Sequence, residues 1–220
     1  MSAPMSVGEP AQITAPPARL GVKLFIEDPA SFDRDRLIAL FHQWIQKDRL
    51  DGGLIDVHDY THVPGGPGVV LISYEGHVRT DEADGRVGLE YEWKREASGG
   101  FGDRIRSTLT RILEAATALE EDTAGGDRIR VRTDEWVFRF TDRLAVPNSE
   151  AAFVEVAAKL RSVLSDLYGK AEFVMERVGG SGAPLTVHVR VPEEARLSLA
   201  SLLARARSES GANEAEGGVE

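Results

Sequence analysis

Three of the five histidines, His58, His62 and His77, fall between residues 53 and 94, interleaved with Asp56, Asp59, Glu75, Glu90 and Glu92. Imidazoles and carboxylates together form a donor set for a divalent metal such as Zn²⁺, Mn²⁺ or Fe²⁺, the carboxylates favouring the harder ions. Side chains alternate along a strand with period two. Asp56, His58 and His62 therefore share a face if the strand continues past Tyr60, and Glu75 and His77 approach from the next strand. These five residues are the candidate metal ligands. The competing reading is the solvated polar face of a sheet covered on one side only. In the simplest register Glu75 lies opposite Glu90, a like-charge pair that destabilises unless a cation or a basic group relieves it.

A second candidate is the stripe Arg128, Arg130 and Arg132, which alternates on one strand face and suits phosphate or carboxylate. Asp127, Asp134, Glu135 and Asp142 surround it and favour ordinary surface pairing. Gly179 to Ala183, GGSGA, imitates a nucleophile elbow, but Pro184 and a hairpin stand where that motif needs a helix. PGGPG at 64–68 lacks the Lys and Ser/Thr of a phosphate loop and leads into a strand. The chain has no cysteine, which removes disulfides, Cys-ligated zinc and thiol catalysis together. No catalytic residue or organic cofactor is signalled.

The elements that must hold these residues follow from periodicity. Leu20, Val22, Leu24 and Ile26 alternate as a first strand. Leu37, Leu40, Phe41, Trp44 and Ile45 recur at helical spacing over 33–49, closed by Gly52 and Gly53. Residues 53–94 read as a three-stranded meander, its second strand offering Val70, Ile72 and Tyr74 to the core and its third Val87, Leu89, Tyr91 and Trp93. A second helix spans 103–121. Residues 128–142 are strand-like with a change of parity that calls for a tight hairpin at Thr133 and Asp134 or for a bulge. A third helix opens near Pro147 and Asn148 and ends at Gly169. Strands at 171–178 and 185–191 and a helix at 193–207 complete the order.

The reading is of an α+β fold, an antiparallel or mixed sheet with helices packed on one face. Strand, helix, strand, hairpin and strand occur twice, which suggests two fused split-βαβ (ferredoxin-like) units. The divisions are a disordered tail at 1–18, an α+β half with the meander at 19–126, a second α+β half at 127–207 and a disordered acidic tail at 208–220.

With 36 acidic and 26 basic residues, the net charge of −10 speaks against nucleic acid as a partner, because phosphate binding needs cations. No apolar run reaches membrane-helix length, and the N-terminus has no signal-peptide pattern. The composition suits a bacterial cytoplasm. The leading expectation is a soluble, non-enzymatic protein that acts through protein contacts, as an adaptor or as a homodimer joined at an exposed meander edge, 53–60 or 87–94. The alternatives are a divalent-metal protein or metal-dependent hydrolase on the meander, and an anion- or RNA-binding module on the arginine stripe.

Overall fold

The computed structural model describes residues 12–82, 85–94, 99–125 and 128–216. Eight strands, β1 (Leu20–Ile26), β2 (Leu54–Asp59), β3 (Val69–Ser73), β4 (Gly76–Asp81), β5 (Gly88–Trp93), β6 (Val131–Phe140), β7 (Val174–Val178) and β8 (Leu185–Arg190), form one sheet. Its order is β2-β3-β4-β5-β1-β6-β8-β7, and every neighbouring pair is antiparallel. The helices are α1 (Arg34–Lys47), α2 (Phe101–Asp122), α3 (Glu150–Tyr168) and α4 (Leu199–Glu216).

This is the expected α+β class, with helices packed on an antiparallel sheet. Strands β1 and β2 run the same way and are joined through α1 across three strands; β6 and β7 are joined through α3 across one. Both halves of the chain thus contribute a split crossover to a common sheet. The caps explain where the helices begin and end. Asp33 accepts the N–H of Arg36 to open α1, and Ser149 accepts that of Ala152 to open α3. Each side chain takes up one of the amides that a helix start leaves without an internal partner. Asp48 in left-handed geometry closes α1, and Gly169 closes α3.

The core lies between the helices and one sheet face, lined by Leu20, Val22, Leu24, Leu71, Leu89, Trp136, Phe138, Phe140, Leu185 and Val187. The three tryptophans all point there and each indole N–H has an acceptor: Asp122 for Trp44, Thr108 for Trp93 and Tyr168 for Trp136.

Several expectations are corrected. The meander has four strands: the run 69–81 breaks at a two-residue turn, Tyr74 and Glu75, where Ser73 Oγ accepts the N–H of Gly76 and donates to its carbonyl. Strand β3 has the opposite parity to that expected. Val69, Leu71 and Ser73 face the helices, and Val70 and Ile72 face away, because VVLIS is apolar on both sides and periodicity could not orient it. Of the two candidate edges only β2 is one; 87–94 forms β5, enclosed between β4 and β1. The parity change in β6 is a bulge, marked by the register shift between Leu24 and Ile26 on its partner. Helix α4 continues through residues 208–216, beyond the last leucine at Leu203, over a stretch rich in alanine and glutamate. Residues 1–11 and 217–220 of the expected tails lie outside the described residues. The rest of the N-terminal stretch touches the fold: Arg104 donates to the carbonyls of Pro16 and Pro17, and the amide of Thr14 to Ala145.

Candidate functional site

Among the described residues no helix lies on the second face of the sheet, and register places its residues in rows. One row runs Asp56, Ile72, His77, Glu92, Gly21, Arg139, Thr186; the next runs His58, Val70, Arg79, Glu90, Lys23, Val137, His188, Glu176. In the second row positive and negative groups alternate across β4, β5 and β1, as Arg79, Glu90 and Lys23.

At the centre, the Lys23 amine donates to Asp81 at 2.7 Å and to the Arg86 carbonyl at 2.8 Å. Glu90 accepts from Arg79 at 2.9 Å and from Arg139 at 2.6 Å, one arginine on each carboxylate oxygen. Arg139 also reaches Asp81 at 3.5 Å. Lys23 is 2% exposed and Glu90 1% exposed although no helix lies over them. Two strand glycines account for this burial. A Cβ on Gly21 would stand 2.6 Å from Glu90 Oε1, and one on Gly88 2.5 Å from Lys23 Cε. The missing side chains let Glu90 and Lys23 lie flat along the sheet, where their neighbours cover them.

Burial raises the Asp81 carboxyl, but the Lys23 hydrogen bond and charge, reinforced by Arg139 and Arg79, outweigh it and hold the group below its ordinary value. Burial likewise opposes the charge on Arg139, and Glu90 and Asp81 overcome it, so the guanidinium is held more firmly than usual. Asp81 and Arg139 are thus both ionised at neutral pH. A charge this deep persists because each has a partner.

A second cluster adjoins the first. Arg86, from the β4–β5 loop, grips Glu135 with two bonds of 2.7 and 2.6 Å, and His188 Nε2 shares the carboxylate at 2.7 Å. The Arg86 hydrogen bond is the main reason that the Glu135 carboxyl sits at about 2; burial opposes it and His188 adds to it. Beneath them Phe25 has the Arg86 guanidinium 3.7 Å above its ring centroid and the His188 ring edge-on at 6.0 Å. That stacking covers an aromatic ring that would otherwise face solvent. Among the described residues, two buried side-chain atoms lack a hydrogen-bond partner, His77 Nδ1 and Arg79 Nε, both on this face.

The structure separates the five candidate metal ligands. Asp56 and His58 touch, Oδ2 to Nε2, at 3.1 Å on the exposed edge strand. His62 lies exposed in the loop after β2. Glu75, in the β3–β4 turn, points to the helix side and binds Arg111 of α2 at 2.7 Å. His77 shares the row of Asp56 but two strands away, about 10 Å at ordinary strand spacing. Among the described residues no group of three or more His, Asp or Glu could hold a metal ion. The expected Glu75–Glu90 opposition does not occur: Glu90 pairs with Arg79 on one side and Lys23 on the other.

In the arginine stripe, Arg128 binds Glu120 at 3.3 Å and Arg132 binds Asp134 at 2.8 Å, while Arg130 lines a shallow cleft of about 500 Å³ with Glu27, Glu193 and Arg196. Arg139 belongs to the central lattice. His188 pairs with Glu135. The lattice is only partly written in the sequence: its signal is a set of charged residues at alternate positions of successive strands, with glycine at 21 and 88, but the adjacency of β5, β1 and β6 that unites them is not written locally.

No protein-family model matches the chain, and neither a curated protein nor a solved structure matches it.

Proposed function

We infer that this protein is a protein-contact module and that the helix-free face of its sheet is the surface a partner meets. The observation that carries this reading is the paired lattice on that face. Lys23, Asp81, Glu90, Arg79 and Arg139 are engaged with one another rather than aimed at a common vacant point. Groups so committed are poor nucleophiles or bases, so the face works by contact rather than by chemistry. They are also already ordered, and a partner that covers them need not immobilise them.

The margins of the face supply apolar area. Val174 and Val178 on β7 are 51% and 41% exposed, and register puts both on the helix-free side. Val137 and Ile72 are half-buried between the charged positions. A centre of paired charges with apolar side chains between and beside them is the mixture that specific, non-obligate interfaces present. Among the described residues no helix is long and apolar enough to cross a membrane.

A photo-crosslinking residue placed at Val178 tests the reading against one placed at Val154, which is 60% exposed on α3. Crosslinking is done in cells that make the protein. The reading expects a discrete adduct from position 178 and none from 154, and the same complex when the two purified proteins are mixed. Equal adducts from both positions, or none from 178, would refute it.

A further inference from the structure

The edge strand β2 is complementary to itself. Its hydrogen-bond phase follows from two contacts: the Tyr60 amide donates inward to Gly68, across from β3, whereas the Val57 amide is held by its neighbour's carboxylate, Asp56 Oδ1, at 2.8 Å. Since inward and outward pairs alternate along an antiparallel ladder, Asp56, His58 and Tyr60 turn their backbone groups to β3. Val57 and Asp59 turn theirs to the open edge.

A second copy adding to that edge must match outward residue to outward residue, so only every second register is open to it. Away from the ends of the strand, three of those centre on Asp56, Val57 or His58. One sets Asp56 against Asp56 of the other copy, and another sets His58 against His58. The third places Val57 on the two-fold axis, and there Asp56 of each copy faces His58 of the other. These facing residues form the non-hydrogen-bonded pairs of the ladder, in which side chains stand closest. Charge therefore selects one register of the three.

We propose that two copies of this chain pair antiparallel through β2, with Val57 at the axis and reciprocal Asp56–His58 contacts, joining their sheets into one of sixteen strands. Both side chains are available, at 57% and 45% exposure. On pairing, the Val57 amide exchanges the Asp56 carboxylate for the carbonyl of its counterpart, and the Asp56–His58 contact within each strand is replaced by one across the axis. The Ile55 bulge, where the β2–β3 register shifts, limits the ladder to the segment around Val57. A two-fold contact of this kind closes on itself and does not propagate into a fibre. The inference stands apart from the partner reading, because it concerns the edge of the sheet and is measured on the protein alone.

Two charge variants test it. His58→Asp gives a strand with two aspartates and Asp56→His one with two histidines; each should dimerise at least about tenfold more weakly than the wild type. Mixed together, the two variants restore every Asp–His contact, and the heterodimer should form with an affinity close to that of the wild type. Sedimentation of the wild type, each variant and the mixture reads all four. Both variants keep their fold if their melting curves match the wild type, as expected for exposed edge positions. A wild type that stays monomeric at about millimolar concentration, well within reach of a weak specific contact, overturns the proposal. So does a dimer that persists in both single variants, or a mixture that remains as weak as its components.

Discussion

Glu135→Gln removes one charge from the cluster around Phe25 while keeping the shape of the side chain. The carboxyl, ordinarily near 4.5, is held at about 2, first by the hydrogen bonds from Arg86 and then, against the opposing effect of burial, by the charges of Arg86 and His188. At about 1.4 kcal/mol per pKa unit, that depression corresponds to about 3 kcal/mol. The Arg86 side chain is 41% exposed, and water screening of a pair so placed brings the expected loss to about 1–2 kcal/mol. The folded pKa lies below the unfolded one. The stabilisation is therefore complete above the ordinary carboxyl value and disappears as pH falls towards 2. Urea denaturation of wild type and variant, followed by tryptophan fluorescence, should show a gap of about 1–2 kcal/mol at neutral pH, steadily narrowing below about pH 4.5. A gap that is absent at neutral pH, or that stays constant down to about pH 3, would refute the assignment of Glu135 as an ionised, stabilising partner.

Glu90→Gln leaves Arg79 and Arg139 facing each other without their shared anion, and the same denaturation should report a larger loss, about 3–5 kcal/mol. Gly88→Ala sets a methyl group 2.6 Å from the Leu24 carbonyl and against Lys23; because the backbone cannot yield as a side chain does, calorimetry should record a destabilisation of about 1–3 kcal/mol. Tyr168→Phe removes a hydroxyl that accepts from the Trp136 indole and donates to the Thr133 carbonyl. Two buried groups then lose their partner, and unfolding should become easier by about 1–3 kcal/mol, with a shift in Trp136 emission.

The elements that sequence made legible are those with a clear apolar stripe. GLEYEW oriented β5 correctly, with Glu90 and Glu92 opposite Leu89, Tyr91 and Trp93, because its two sides differ sharply. VVLIS gave no such contrast, so β3 came out reversed, and its turn at Tyr74 and Glu75 carries neither Gly nor Asn to announce it. Asp56 and His58 were rightly grouped on one face, while Glu75 was not, since its destination is Arg111 on a helix that begins 26 residues later. The central lattice was hidden for a different reason. Lys23, Glu90 and Arg139 look like separate solvent-facing charges until β1 is known to lie between β5 and β6, and that adjacency is set by packing of whole halves.

The place of β1 also bears on how the chain reaches its fold. It is buried along its whole length and is made before every other strand of the sheet, yet it is among the last to be completed. Leu20 pairs with Phe140 and Ile26 with Val131, so one side of the strand must wait until more than a hundred further residues have been made. Closing a loop of that length precedes any reward from the contact, which slows folding of sheets held by distant pairings. Until β6 arrives, the nascent chain presents β1 as an unprotected apolar border, the kind of border that attracts foreign strands. The lysine at position 23 interrupts that border during synthesis, and the same residue later anchors Asp81.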